Sequence, residues 1–311
     1  MGGEQMYYFI GLAATFLLAP LLSGIINRVK AFFAGRQGPG ILQLYYDLGK
    51  LLRKGTVYSS TTSGVLQLAP AITAATLAVA ALFLPYGMQK SPCAFPGDIL
   101  IFFYLLGTGR FALVLGALDT GSSFEGMGAS REVEFSALLE GAVFAVVCFL
   151  VLSTGTVTMS ELLTGYSFFG AWSAGPSLLL IVAAFFIVVL AENSRVPFDD
   201  PETHLELTMV HEAMLLDYSG PDLAVMLYCS ALKLWLLSSF FTLLILPERV
   251  LTGAAGFVAY LGGVFLTAAA IGAVESSMAR YRFLKVPQML IGAMVIALVA
   301  ITLLLIFGGK F

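Results

Sequence analysis

PQMLIGAMVIALVAITLLLIF, residues 287–307, runs for 21 residues without one charged side chain. As a helix it rises about 1.5 Å per residue, and roughly 20 apolar residues match the ~30 Å hydrocarbon core of a bilayer. The stretch is therefore read as a transmembrane helix. Working outward, seven more apolar runs follow the same reading: Met6–Ile26, Val65–Tyr86, Ile99–Leu118, Ala137–Thr154, Ser177–Ala191, Leu223–Leu246 and Gly253–Val274. Runs 137–154 and 177–191 are short and are expected to draw on their polar flanks.

Composition agrees. Of 311 residues, 59% are hydrophobic and 11% charged, where a soluble domain spends roughly a quarter on charge. The 32 glycines and 12 prolines suit membrane helices, whose neighbours satisfy freed backbone groups. Apolar residues run continuously instead of alternating over roughly 10-residue strands, which fits a helical bundle better than a barrel. The fold class is all-α: a polytopic membrane helix bundle of about eight transmembrane helices plus one amphipathic helix. No low-complexity tract, soluble domain or internal repeat stands out, so 1–311 reads as a single integral membrane domain. The N-terminus carries Glu4 and no basic residue before the first apolar run. It lacks the positive n-region of a cleaved signal peptide, and the first helix is expected to stay in the mature protein.

The formal charge of −3 makes no case for nucleic acid or an acidic substrate, and no nucleic-acid partner is expected. Cys93, Cys148 and Cys229 lie far apart, and the chain has only two histidines. It can build neither a four-cysteine cluster nor a usual zinc site. Cys148 and Cys229 read as buried small hydrophobes.

Eight spans put both termini on one side. One set of loops carries Arg28, Lys30, Arg36, Lys50, Arg53, Lys54, Arg131, Arg195, Arg280, Arg282 and Lys285; the other carries only Lys90, Arg249 and Lys310. This 11 to 3 bias predicts that the first set is cytoplasmic and both termini outside. Between the first two spans, Ile41, Leu44, Tyr45, Leu48 and Leu52 recur at helical spacing, with Gln43, Asp47, Lys50 and Arg53 on other faces. The pattern predicts an amphipathic helix over about 41–54 on the cytoplasmic membrane surface, introduced by Gly38-Pro39-Gly40.

The densest polar stretch is AENSRVPFDDPETHLELTMVHEAMLLDYSGPDLA, residues 191–224, with eight of the 19 acidic residues. Asp200-Pro201 resembles a helix N-cap with proline in the first turn, and Glu202 sits where the helix dipole favours an acid. A helix is predicted from there to about Asp217, ending before Ser219-Gly220-Pro221. Its apolar residues Leu205, Val210, Met214 and Leu215 imply docking, with Glu202, Glu206 and Glu212 distributed around it. Asp200 and Glu202 are either cap and dipole partners only or members of a polar path. His204 and His211 are seven residues apart, a rise of about 10.5 Å along a helix, which one ion cannot bridge. His211-Glu212 also lacks the second histidine of a zincin helix, so no metal site is expected.

Charges inside spans are the sharper signals. Lys233 lies about halfway along the sixth span, Glu140 near the start of the fourth, Glu192 ends the fifth and Glu275 ends the seventh. A charge at the membrane centre costs at least ~2.5–3.5 kcal/mol on insertion scales, so such groups face a wet cavity or a partner. Glu192 and Glu275 either join such a path or mark the membrane interface. Arg110, within the third span, either joins it too or pairs structurally with Asp119 or Glu140. Carboxylates with an embedded lysine can relay protons, because each exchanges a proton and low dielectric couples their pKa values. Position and composition reach a proton or cation path and do not name the reaction.

Three segments carry a resemblance: RQGPGILQLYYDLGKLLRKG (36–55), GALDTGSSFEGMGASREVEFSALLEG (116–141) and ENSRVPFDDPETHLELTMVHEAMLLDYSGPDLA (192–224). Together they resemble the membrane subunit of group 4 membrane-bound [NiFe]-hydrogenases, formate hydrogenlyase and hydrogenase-4 type complexes, homologous to subunit 1 of respiratory complex I. The resemblance covers essentially the whole chain. It implies a membrane anchor beneath a soluble electron-transfer arm. By that resemblance hydrogenase-like large and small subunits and an iron–sulfur subunit are expected to hold the NiFe centre and the iron–sulfur clusters, and no cofactor is expected in this chain. The resemblance further implies that redox energy released there drives proton or sodium movement through this subunit and antiporter-like membrane subunits, in a prokaryotic cytoplasmic membrane.

Residue by residue, the resemblance puts Asp119, Arg131 and Glu132 in the connection between the third and fourth helices. It makes Glu140 the intramembrane glutamate that follows, and puts Glu192, Arg195, Asp199, Asp200, Glu202 and Glu206 in the acidic cytoplasmic junction 192–222. The implied ion path comprises Glu140, Glu192, Asp199, Asp200, Glu202, Glu206, Glu212, Lys233 and Glu275. The implied interface with the redox arm comprises Arg36, Asp119, Arg131, Glu132, Arg195 and His204. Complex I versions carry a related Glu, Arg, Pro, Phe, Asp pattern at a quinone cavity. The DDPETHLELT that follows here is the hydrogenase-like form, which sets a quinone-binding subunit, like a stand-alone transporter, behind the hydrogenase-type reading.

Overall fold

The computed structural model describes residues 2–86, 90–164, 176–199, 210–246, 253–281 and 285–307. These form α1 (Gly2–Phe33), α2 (Gln43–Leu51), α3 (Gly64–Ala81), α4 (Asp98–Asp119) and α5 (Ser123–Thr154), followed by α6 (Met159–Thr164), α7 (Pro176–Glu192), α8 (Gly220–Ile245), α9 (Gly253–Ser277) and α10 (Val286–Phe307). No strand occurs among the described residues. Seven helices, α1, α3, α4, α5, α8, α9 and α10, are long and apolar enough to cross a membrane, and α7 supplies a shorter apolar helix over Ser177–Glu192. The eight apolar runs fall on these eight helices.

α8 is the hub. It packs on α1, α3, α7 and α9, while α10 lies against α5 and α7, and α3 runs along α4. Its Trp235, Leu236, Leu237 and Phe240 are wholly buried, and Phe240 sets its ring 4.8 Å from Phe185 of α7. Lipid tails are as apolar as leucine, so this interlocking of side chains, more than expulsion of water, holds the helices together. Outer positions such as Leu266 of α9 and Leu305 of α10 stay exposed, as a lipid-facing surface requires. Cys229 is buried, but Cys148, read from sequence as buried, is exposed on α5. An apolar environment around a membrane helix includes lipid, so hydrophobicity alone does not mark the inward face.

α5 is 32 residues long, so the run 137–154 is only its second half. The segment read as a connection is mostly helix: only Thr120, Gly121 and Ser122 separate α4 from α5, and Arg131 and Glu132 lie within α5. Hydropathy falls before Ala137, but backbone hydrogen bonding continues through polar residues. Asp119 closes α4 and serves α3. It accepts the Ser63 N–H at 2.8 Å, the Ser63 hydroxyl at 2.7 Å and the Leu66 N–H at 3.1 Å, satisfying donors that the first turn of a helix leaves open.

The amphipathic helix, expected over 41–54, spans Gln43–Leu51. It starts later because the chain first folds back along α1. The Ile41 carbonyl lies so close over Gly24 that a Cβ there would collide with it. The Tyr45 hydroxyl then donates to the Leu17 carbonyl at 2.5 Å, and α2 packs on α1 and α8.

The predicted helix to Asp217 is not what forms in its described part. Asp200, Glu202, His204 and Glu206 lie outside the described residues. From Val210 onward the chain makes a single 3-10 turn, Glu212–Leu215. The amides are claimed elsewhere: Asp199 accepts the N–H groups of Val210 (3.1 Å) and His211 (3.2 Å), and Glu125 accepts that of Asp217 (3.0 Å). Donors held by carboxylates cannot close an i to i−4 ladder. Docking survives the change, with Val210, Met214 and Leu215 all buried. Gly220 then opens α8 at φ +53°, against the Gly55 carbonyl, where a side chain would be strained and crowded.

Candidate functional site

Glu192 is the last residue of α7, where the negative end of the helix dipole disfavours a carboxylate. Only 5% of its side chain is exposed, so water does little to offset that. Two cations from other helices do. Lys233 Nζ, from the middle of α8, lies 2.7 Å from Glu192 Oε2, and an Arg110 guanidinium nitrogen, from α4, lies 3.1 Å from Oε1. Three charges that would each be costly in an apolar helix thus meet at one junction.

This settles the partner of Arg110. Neither acid considered from sequence is its main one: Asp119 is turned to Ser63, and Glu140 Oε1 stands at 3.8 Å, with 56% of its side chain exposed. Glu132 lies eight residues before Glu140 on α5, about two turns away, and lines a cavity together with Arg110. A cavity of about 40 Å³, lined among others by Arg110, Glu132, Glu192, His211, Ser230 and Lys233, has room for a few water molecules. A second cavity shares Arg110, Glu132 and Ser194 with it and extends to Asp199. Charged and polar side chains, set among mostly apolar neighbours such as Leu106, Leu113, Phe135 and Leu139, therefore recur from Lys233 on α8 to the foot of the junction segment.

Asp199, 4% exposed, pairs with Arg280 at 2.8 Å while holding the two amides described above. Glu275, whose carboxylate is fully enclosed, meets Lys30 of α1 at 3.3 Å and Arg195 at 3.6 Å. It ends a span, as the sequence indicates, yet faces inward. Among the described residues, Lys30, Arg110, Arg195, Lys233 and Arg280 stand against Glu132, Glu140, Glu192, Asp199 and Glu275. Near balance of charge lets the group accept or lose one ion without a large buried excess.

His211 lines the first cavity. Burial, and next to it the Lys233 ammonium, hold its pKa down to about 4, although Asp199 pulls the other way. It is a neutral imidazole at physiological pH. Glu212 opens the 3-10 turn, half-buried. Of the residues placed at the redox-arm interface, Arg36 is exposed just beyond α1, Arg131 is half-buried on α5, and Glu132 and Arg195 belong to the interior charge network.

Two buried carboxylates carried no distinctive signal in the sequence. Glu125, fully buried, follows the turn residues Gly121 and Ser122 and would pass for a helix-dipole partner. It instead ties α5 to the junction through Asp217. Asp98, also fully buried, opens α4 and accepts the Met159 N–H at 2.5 Å, securing α6. Among the described residues no three His, Cys, Asp or Glu side chains gather as a metal site, and Cys93, Cys148 and Cys229 are separate free thiols. The chemistry available is the making and breaking of ion pairs and proton exchange along a line of carboxylates.

Comparison with known proteins gives relatives over nearly the whole chain. Residues 6–307 match the family described as NADH dehydrogenase. Hydrogenase-4 component C of Escherichia coli is 33% identical over 276 residues, covering 87% of this chain and 86% of that protein. Formate hydrogenlyase subunit 4 of the same organism is 30% identical over 289 residues, covering 91% and 93%. The fold is shared with a chain of the membrane-bound sulfane sulfur reductase, an archaeal respiratory membrane complex, at a TM-score of 0.82 and 19% identity, covering 96% of this chain and 99% of that one.

Proposed function

The chain belongs to the NADH dehydrogenase family, and from that membership we propose that it is the membrane anchor and ion-translocating subunit of a hydrogenase-type, complex I-related oxidoreductase. The observation that supports this reading is Glu192 held between Arg110 and Lys233, beside a cavity that shares Arg110, Glu132 and Ser194 with a second cavity reaching Asp199. A merely structural ion pair needs one cation and no cavity.

An arriving proton or sodium ion neutralises Glu192, and both cations then turn to other carboxylates, with Glu140 and Glu132 nearest to Arg110. In low dielectric a change of one charge is felt along the whole line, so ion transfer at one end biases the next carboxylate. Asp199, bonded to the backbone of 210–211, gives movement of the junction a direct electrostatic handle on that line. The junction 192–222 is the surface on which the soluble arm acts, on the cytoplasmic side that the loop charges favour.

The thiols present do not form a ligand set for an iron–sulfur cluster or a NiFe centre. Those groups belong to large, small and iron–sulfur partner subunits, and antiporter-like membrane subunits extend the ion path. The test is the complex isolated with its partners and reconstituted in vesicles. Nickel in the complex and ion uptake that tracks redox turnover are expected. A nickel-free complex that reduces quinone, or a chain that transports a solute alone, replaces this reading.

A further inference from the structure

We infer that the pocket where α1 ends binds the phosphate headgroup of an acidic membrane phospholipid, with Arg36 and Lys30 as its cationic partners. The pocket, a cavity of about 470 Å³, is lined by Asn27, Lys30, Phe33, Arg36, Gln37 and Ser276 among others, and none of the described lining residues is a carboxylate. That volume falls in the range of ligand pockets and far exceeds what a few waters need.

The chemistry is that of an anion site. Arg36 offers a planar fork of donors suited to phosphate, and Lys30 a compact ammonium. The side-chain amides of Asn27 and Gln37 add neutral donors, while the Ser276 hydroxyl already donates to the Gly272 carbonyl at 2.7 Å. Lys30 also meets Glu275, which Arg195 meets as well, so Arg36, exposed at the rim, is the cation that the pocket presents outward. The cradle is preformed. The Arg36 N–H donates to the Ala31 carbonyl at 2.9 Å, and Gly38 lies tightly against the Ala31 side chain, which holds Arg36 and Gln37 over the end of α1.

The surroundings choose a lipid over a free anion. Phe32 and Phe33 are 81% and 61% exposed at the pocket's edge, packed edge to face with ring centres 5.9 Å apart. Cations beside exposed apolar rings at the end of a span match an amphipathic ligand whose charge sits at the interface and whose acyl chains lie in the core. The binding claim does not depend on the ion-path reading, because it is read as retained lipid.

The test uses the whole complex in nanodiscs of equal phosphatidylglycerol and phosphatidylcholine, with retained lipid measured by native mass spectrometry. The wild type is expected to retain phosphatidylglycerol in preference. Arg36→Gln is expected to lower that preference about fivefold, while Arg36→Lys keeps most of it. Excess inorganic phosphate should leave the lipid in place. Equal retention of both lipids by the wild type, or an unchanged preference in Arg36→Gln, overturns the inference. Displacement by inorganic phosphate alone replaces it with a free-anion site. A pocket that retains no lipid and crosslinks through position 36 to a partner subunit replaces it with a subunit contact.

Discussion

Lys233 Nζ lies 2.7 Å from Glu192 Oε2, joining the middle of α8 to the end of α7 through a pair that is almost wholly enclosed. Removing one member of such a pair leaves the other charge buried without compensation, which costs on the order of 3–5 kcal/mol. Glu192 has Arg110 as well, so the two ends of the pair are not equivalent. Glu192→Gln, which strands two cations, should lower the thermal stability of the complex more than Lys233→Ala, which leaves Glu192 one partner. The reverse order in thermal melts removes the shared-carboxylate description.

Lys233→Ala should also separate ion movement from redox turnover. The complex is expected to assemble and turn over, with vesicle ion uptake per turnover reduced at least about tenfold, equivalent to about 1.4 kcal/mol on a barrier. Uptake equal to wild type would assign Lys233 to structure alone.

Glu140 is more than half exposed and 3.8 Å from Arg110, so the pair itself contributes at most about 1 kcal/mol. Glu140→Gln should therefore melt within a few degrees of wild type while ion uptake falls. A large loss of stability would show that Glu140 holds the bundle together, and normal uptake would take it out of the path.

Asp199 spends one oxygen on Arg280 and the other on two backbone amides. Hydrogen bonds to a charged acceptor contribute about 1.5–3 kcal/mol. Asp199→Asn should raise hydrogen exchange at the Val210 and His211 amides, leaving that of the α8 core unchanged. Unaltered exchange at both amides would mean that the segment is held by its buried apolar side chains alone.

His211 supplies a pH signature. Its folded pKa, about 4, lies below the ordinary histidine value near 6.5. Above about 6.5 both folded and unfolded forms are neutral and pH has no effect through this group. As pH falls toward 4 the unfolded state takes up the proton first, and stability is lost. The stability difference between wild type and His211→Gln should be flat above about pH 6.5 and move against the wild type below it. A flat difference across the whole range would place His211 in contact with water.

The spans were legible because hydropathy is a local sum. The uncharged run 287–307 needs no partner to be recognised as a membrane helix, and the same holds for the other seven. The amphipathic repeat from Ile41 to Leu52 located α2 to within a few residues. Cost arguments also singled out Lys233 and Glu140, because a charge in an apolar run is expensive wherever the helix packs. Pairing was not legible. Whether Arg110 turns to Asp119, Glu140 or Glu192 depends on how three helices rotate against one another, which one sequence does not encode locally. The 210–217 segment reads as helix by propensity and periodicity, yet Asp199, 11 residues before Val210, and Glu125, 92 residues before Asp217, take its amides. Sequence alone determined which stretches form apolar helices suited to a membrane, because hydropathy is a property of each stretch. Only the tertiary structure decided which charges meet, because a buried ion pair lasts only where packing brings both members within a few ångströms and excludes water.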